Sequence, residues 1–307
     1  MSALSQAEGR RLYGKAGWQA AQDTEFWFGE VLRQPNGAPF APYDWQCKDI
    51  LYPIFGTLDA SGLRRIQTAY IEIAKKNGKS LIGAGVALKL LVADGELGAH
   101  VVSAAASKEQ AKIVFGEAVR MVESSPYLSK LCQVYRNEIR GPHGGKYEAI
   151  SADAPTKHGP SYSGIIFDEV HTQPNRNLWD TITPGIVARD QGLVFAITTA
   201  GSKKSGLCWD LHNRALKSMA DPKSDSTFYG KIYEFDDSKY AWDSEEAFAS
   251  VNPSYPRSIK RRVWEGMIAT ARQTELDEAN YRQLHLNQWL DSAITAWIPA
   301  DIFALCA

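Results

Sequence analysis

Five short apolar runs punctuate the middle of the chain: residues 68–73 (TAYIEI), 100–104 (HVVSA), 164–167 (GIIF), 193–198 (LVFAIT) and 228–235 (FYGKIYEF). The first four are nearly continuous, the pattern of strands buried on both faces. The fifth alternates, which places it nearer a sheet edge. Stretches with helical spacing lie between them at residues 80–93, 108–124 and roughly 179–186, and a further helix over 44–55 precedes the first strand. Strands separated by helices of this length predict a parallel sheet covered on both faces, an α/β architecture.

The flanks read differently. Residues 1–40 are polar but carry Trp18, Phe26, Trp27 and Phe28, which predicts a helical lead-in packed on the core. The Pro- and Gly-rich segment 34–43 (QPNGAPFAPY) reads as a connecting loop. From Ser244 the chain turns helical and charged, with amphipathic helices expected over 257–271 and 274–290, ending near Trp297-Ile298-Pro299. The expected organisation is a lead-in over 1–40, an α/β core over 41–240 and a helical lid over 241–307.

Composition adds restrictions. The 307 residues are 44% apolar and 22% charged, ordinary for a globular protein with a substantial core. The net charge of −1 provides no general attraction to nucleic acid, so any such contact requires a local basic patch. Cys47, Cys132, Cys208 and Cys306 form no C-x-x-C pair, so free thiols rather than a zinc or redox site are expected. The N-terminus lacks the apolar core of a signal peptide, and the apolar stretch 81–93 is interrupted by Lys89 and too short for a bilayer. A soluble intracellular protein is expected.

Candidate chemistry gathers at the strand ends. Directly after the first apolar run and before a helix stands Ile73-Ala74-Lys75-Lys76-Asn77-Gly78-Lys79-Ser80. A phosphate-binding loop needs backbone N–H groups at a helix N-terminus, a lysine for the β/γ oxygens and a hydroxyl for Mg²⁺. Gly78, Lys79 and Ser80 supply the last part of that arrangement, although Ile73 occupies the place of the first glycine. The run Ile165-Ile166-Phe167 ends in Asp168-Glu169, at the strand edge where ligands of open α/β sheets sit. Asp168 is the candidate Mg²⁺ ligand and Glu169 the candidate base that polarises the attacking water. Two solvated acids at a strand end would look the same in isolation; the loop and the acids together, in this order, favour catalysis.

Weaker signals accompany these. Thr198, Thr199 and Ala200 close another apolar run with two hydroxyls suited to sensing a γ-phosphate, or form a plain strand end and turn. Gln46, after Tyr43-Asp44-Trp45, suits the edge of adenine, yet a helix start capped by Asp44 explains the same letters. Arg120, Arg136, Arg140 and Arg189 are candidates for a cation supplied across a subunit interface, or are surface charges. Lys203-Lys204 and Lys260-Arg261-Arg262 fit a DNA backbone or a solvated face. His158 and His171 have no second ligand at metal spacing.

This order of segments resembles the large terminase subunits of tailed bacteriophages. The resemblance is carried by Trp45-Gln46, the run 71–80 (IEIAKKNGKS), 104–111 (AAASKEQA), 166–171 (IFDEVH), Thr198-Thr199-Ala200 and Asn252-Pro253, and covers roughly residues 40–298. It implies an additional-strand, conserved-glutamate P-loop NTPase core of RecA-like type with a small C-terminal helical lid, using ATP and Mg²⁺. By position it implies P-loop roles for Lys75, Lys76, Asn77, Gly78, Lys79 and Ser80, and metal and catalytic roles for Asp168 and Glu169. It further implies a coupling role for Thr198–Ala200 and adenine recognition by Gln46; the trans-acting arginine is not carried over by the resemblance, and Arg120 is chosen for it because it lies on the helix after the second strand. The implied partners are double-stranded DNA, the portal protein, a small terminase subunit and further copies forming a ring (a pentamer on the capsid, a monomer in isolation), at work in the host bacterial cytoplasm. Large terminases continue into a nuclease domain, and this chain ends at Ala307 where that domain would start, so no nuclease activity is expected of it. Two other readings compete. Asp168-Glu169-Val170-His171 also fits the DExH box of a superfamily 2 helicase, but the residues after the α/β part are too few for a second RecA-like domain. A non-catalytic nucleotide-binding module would not need Glu169.

Overall fold

The computed structural model describes residues 3–151 and 160–290. In chain order the elements are α1 (Gln6–Phe26), α2 (Asp44–Gln46), α3 (Tyr52–Gly56), β1 (Thr68–Glu72), α4 (Lys79–Val92), β2 (His100–Ala105), α5 (Lys108–Ser124) and α6 (Leu128–Leu131). They continue with β3 (Gln133–Val134), β4 (Glu138–Arg140), β5 (Lys146–Ser151), β6 (Gly164–Asp168), α7 (Asn177–Ile182), β7 (Leu193–Thr198), α8 (Leu207–Ala220) and β8 (Phe228–Ile232). Three helices follow: α9 (Glu245–Val251), α10 (Arg261–Ala271) and α11 (Glu275–His285).

One sheet of eight strands runs in the order β3-β4-β5-β2-β6-β7-β1-β8. From β5 to β8 every neighbouring pair is parallel, while β3 and β4 add antiparallel strands at one end. The four continuous apolar runs are the central strands, because only residues apolar on both sides can lie between two helical layers. Ala69, Ile71, Ile166, Phe195 and Ile197 face one layer with α4 and α5; Tyr70, Ile165, Phe167, Val194 and Ala196 face the other with α7 and α8. The alternating run after α8 forms the edge strand β8, as its pattern predicts.

Several elements depart from the pattern. The helix expected over 44–55 is two α segments joined by a wider π turn over Cys47–Leu51, and the stretch 179–186 is α-helical only to Ile182 before a 3₁₀ segment. Strands β3–β5 and helix α8 lie where no element is expected. The expected lead-in is α1, which begins in a capping box formed by Ser5 and Glu8 and carries the chain to buried Trp27 and Phe28. These pack on α4, where Trp27 Nε1 donates to the Gly85 carbonyl at 3.3 Å. Helices α9–α11 bury their own cluster, built around Phe248, Trp264, Ile268 and Tyr281.

Candidate nucleotide site

The loop between β1 and α4 is built for backbone exposure to a ligand. Lys76 and Gly78 both adopt left-handed backbone conformations, with φ of 72° and 81°. Glycine takes that conformation without steric cost, and it turns the chain directly into the N-terminus of α4. The free N–H groups of that first turn and the helix dipole favour an anion there. An open cavity of about 390 Å³ is lined by Lys75, Lys76, Gly78, Lys79, Ser80, Leu81 and Glu169. The loop and the acidic strand end, separate in sequence, therefore share one space.

Lys79 lies deep in this site. Its ammonium donates to the carbonyls of Ile73 and Ala74 at 3.2 and 3.4 Å and to Thr199 Oγ1 at 2.7 Å, and stands 3.7 Å from Glu169 Oε1. Burial lowers its pKa, opposed by the charges of Glu169 and Asp168. The Ser80 hydroxyl donates to Asp168 Oδ2 at 2.8 Å. Asp168 forms no lysine or arginine ion pair among the described residues; burial and the adjacent Glu169 push its pKa up to about 6. A buried acid beside a serine hydroxyl, short of positive charge, fits a divalent cation.

Glu169 has the opposite electrostatics. Burial alone would raise its pKa, but the His171 ring at 3.3 Å from Oε2 and the Lys79 ammonium outweigh it and hold the group at about 2. Two neighbouring acids are thus driven apart, one kept ionised and one short of a cation. Glu169 also has a left-handed backbone, φ 52°, and its N–H donates to the Ile197 carbonyl at 2.9 Å. A non-glycine residue in this region costs about 1–3 kcal/mol and persists only where its surroundings hold it. The conformation turns the carboxylate off the strand line and toward Lys79.

The end of β7 binds both halves together. Thr199 Oγ1 accepts from the Lys79 ammonium, while Thr198 Oγ1 accepts from the His171 backbone N–H at 3.1 Å and lies 3.1 Å from its Nδ1. Gln46 is buried at 5% exposure; its Oε1 accepts from the Tyr43 N–H at 2.9 Å, while its Nε2 faces Gly78. Asp44, expected as the cap, is instead the first residue of α2; the cap position is Tyr43, and Gln46 closes back on it while its amide faces the loop. His171, to which spacing alone gives no metal role, stands beside Glu169 and helps to keep its pKa low. Asn252 and Asn287, each fully buried, reach this region from the C-terminal helices; sequence marks Asn252 through the Asn252-Pro253 resemblance without giving it a role, and Asn287 emerges only from the hydrogen bonds.

The candidate arginines are not brought to this edge. Arg120 is half exposed on α5 and paired with Glu117. Arg189 is bound to Glu96 and to the Leu97 and Gly98 carbonyls, at the opposite end of the strands. Arg140 pairs with Glu138 over the Tyr135 ring on the antiparallel end, and Arg136 is exposed beside it. Arg261 is held by Glu245 and Glu265, as a solvated helix face would be. His158, Cys306 and the segment 297–299 lie outside the described residues.

Strand order decides the class. β7 separates the strand that carries the phosphate loop, β1, from the strand that carries the acids, β6. This is the additional-strand arrangement, with a glutamate directly after the aspartate that ends β6. A family model for the terminase large subunit ATPase domain matches residues 44–217. The chain belongs to the terminase large subunit family.

Among proteins of known description, the large terminase of Enterobacteria phage HK97 is 30% identical over 244 residues, which cover 78% of this chain and 47% of that protein. Protein YmfN of Escherichia coli K12 is 27% identical over 131 residues, covering 43% of this chain and 29% of that one. The crystal structure of the HK97 large terminase superposes with a TM-score of 0.77 at 26% identity, over 88% of this chain and 55% of that one. The ATPase domain of the Thermus phage P74-26 large terminase shares the fold, with a TM-score of 0.50 at 18% identity over 79% of this chain and 98% of that domain. The terminase ATPase domain described here spans about half the length of the HK97 protein. Membership of this family implies ATPase activity and does not favour the helicase reading. No described helix is long and apolar enough to cross a membrane.

Proposed function

We propose that this terminase ATPase domain binds ATP with Mg²⁺ at the loop after β1 and hydrolyses it to drive double-stranded DNA into a procapsid. The observation that carries the reading is the convergence of Lys79, Ser80, Asp168, Glu169 and Thr199 at one sheet edge, from three strands that sequence leaves far apart. The large terminase of a further, thermophilic bacteriophage, which shares the fold at a TM-score of 0.50, has been crystallised in complex with ADP.

In this reading the α4 N-terminus and the backbone of residues 75–80 cradle the phosphates, and Lys79 turns from the Ile73 and Ala74 carbonyls to the β/γ oxygens. Ser80 and Asp168 would hold Mg²⁺, which supplies charge neutralisation of the phosphates when bound. Glu169, kept ionised by His171 and Lys79, accepts a hydrogen bond from the attacking water. Gln46 addresses the base. Thr198, Thr199 and Ala200 sense loss of the γ-phosphate, since Thr199 bonds the lysine that binds it. Arg120 of a neighbouring copy serves as finger in a ring seated on the portal, with the small terminase subunit as partner, in the host bacterial cytoplasm.

The test is Mg²⁺-dependent ATP hydrolysis across a range of protein concentrations. Turnover rising more than linearly with concentration and falling about 100-fold or more in Glu169→Ala supports the reading, since loss of a positioned base costs on that order. Unchanged turnover in Glu169→Ala rejects the base, and strictly linear turnover rejects the trans finger.

A further inference from the structure

The last turn of α11 is bonded to the site at several points. The Leu284 carbonyl accepts from the Lys75 N–H at 2.9 Å, inside the phosphate loop. Gln283 Nε2 donates to the Ala200 carbonyl at 3.1 Å, and Asn287 Oδ1 accepts from the Ala200 N–H at 2.7 Å. Both backbone groups of Ala200, at the end of β7, are thus held by side chains of one helix end. Asn287 has a left-handed backbone, φ 54°, and its Nδ2 donates to the Tyr233 carbonyl at 2.8 Å just beyond β8. Two residues on, Trp289 Nε1 donates to Glu72 Oε1 at 2.9 Å, where β1 ends.

A second link runs through a pair of buried asparagines. Asn77 Nδ2 donates to Asn252 Oδ1 at 2.8 Å and to the Ala74 carbonyl at 3.1 Å, while Asn77 Oδ1 accepts from the Ser254 N–H at 3.3 Å. Asn252 Nδ2 donates in turn to the Phe248 carbonyl at 2.9 Å and the His285 carbonyl at 2.8 Å. Every donor and acceptor of these two amides is used, at 1% and 0% exposure. Buried amides are tolerated where they are fully satisfied, and then they fix one arrangement. Ala74 is also the residue whose carbonyl receives the Lys79 ammonium. A shift of that lysine therefore alters the bonding of the same carbonyl that Asn77 holds for the α9–α11 unit.

We infer that Asn252 and Asn287 are positioning residues for ATP hydrolysis, Asn252 setting the phosphate loop through Asn77 and Asn287 setting the end of β7 through Ala200, so that the α9–α11 unit moves with the occupancy of the site. The inference rests on the reading of the loop as the ATP site. Two contacts carry different halves of the coupling: Asn252 joins the loop that holds the phosphates, and Asn287 joins the strand end that senses them. Losing Asn252 therefore weakens binding, whereas losing Asn287 leaves binding intact and slows turnover.

The experiment uses the 307-residue chain, with a fluorescent ADP analogue for binding, steady-state ATP hydrolysis, and amide hydrogen exchange over residues 275–287 with and without nucleotide. In the wild type, nucleotide changes exchange in that segment. Asn287→Gly keeps the left-handed backbone without the amide; it is expected to bind within about twofold of wild type but turn over about tenfold slower, as the end of β7 loses its anchor. Its exchange no longer responds to nucleotide. Asn287→Asp keeps the acceptor for the Ala200 N–H but sets a carboxylate oxygen against the Tyr233 carbonyl, so it restores only part of the turnover lost in Asn287→Gly. Asn252→Ala raises the KM about tenfold, on the scale of the one buried hydrogen bond lost to Asn77 in the loop. Nucleotide-dependent exchange that persists in both Asn287→Gly and Asn252→Ala, or a wild type whose exchange ignores bound nucleotide, overturns the inference. Undiminished binding by Lys79→Ala instead overturns the assignment of the ATP site. Circular dichroism of each variant identifies one that has not folded, in which case Asn252→Ser takes the place of Asn252→Ala, with the same expected direction.

Discussion

At the residue scale, the site works by separating the behaviour of two adjacent acids. Asp168 and Glu169 share a strand end, yet the close His171 and Lys79 contacts go to Glu169, and the charge of Lys79 does not offset burial at Asp168. The sequence makes the pair of acids legible together with Lys79 and Ser80, because each has a bland reading alone and only the loop and the acids in this order point to one site. It does not show His171 as the partner of Glu169, since the link depends on a turn that folds residue 171 back under Thr198. Asn287 is invisible for the same reason, and Asn252, though marked by its Asn252-Pro253 context, shows no role: a buried amide is identified by its partners, and these lie far away along the chain. A different buried carboxylate governs acid stability. Asp94 is bonded to Arg64 and Lys89, each at 2.6 Å; burial alone would raise its pKa, but the two cations outweigh that and lower it to about 2. A folded pKa below the unfolded value means that this stabilisation is complete above about pH 4 and disappears as pH falls through about 2. Urea unfolding between pH 4 and pH 2 should show a stability loss that is shallower in Asp94→Asn by roughly 2 kcal/mol over the window. Equal slopes for the two proteins would remove Asp94 from the acid transition.

At the element scale, legibility follows burial. β1, β6 and β7 lie between two helical layers, so each reads as a continuous apolar run. β3 and β4 have two and three residues, and β5 alternates Lys146, Glu148 and Tyr147 across a half-covered face, so neither length nor period distinguishes them from loop. α8 shows its period in buried Leu207, Cys208, Leu211 and Ala215, but it starts at Gly206, with φ 81° and no side-chain cap, after a stretch that reads as a turn. α4 illustrates how tightly an element can be held. A methyl group on Gly85 would meet the Phe28 ring at 2.5 Å and Leu32 Cδ1 at 2.9 Å, both side chains fully buried. Helix propensity favours alanine over glycine by about 1 kcal/mol. Overpacking of a rigid core costs about 1–3 kcal/mol, so the clash outweighs propensity. Gly85→Ala should lower the unfolding free energy, whereas Gly83→Ala, whose methyl comes no nearer than 3.3 Å, to Ile166 Cγ2, should change it less. A Gly85→Ala protein more stable than wild type in urea would show that α1 and the turn after it do not press on α4.

At the scale of the whole molecule, the region recognised by the family model and the region that folds as a unit differ. The match covers residues 44–217. The core on the α4 side of the sheet, however, includes Trp18, Ala21, Trp27, Phe28, Leu32 and Phe40, all upstream of it. Downstream, β8 covers the outer side of β1 along Thr68–Glu72. A fragment cut to the matched residues would expose an apolar helix face and leave the strand beneath the phosphate loop as an open edge with unpaired amides. Such an edge templates association with other chains. The fragment 44–217 should therefore elute as aggregate in size exclusion while the fragment 3–290 stays monodisperse, and a well-behaved 44–217 would show that the flanks are dispensable. Relatedness in sequence marks where ancestry is easiest to see; the packed core is wider, and its outer parts cover the strand on which the chemistry is mounted.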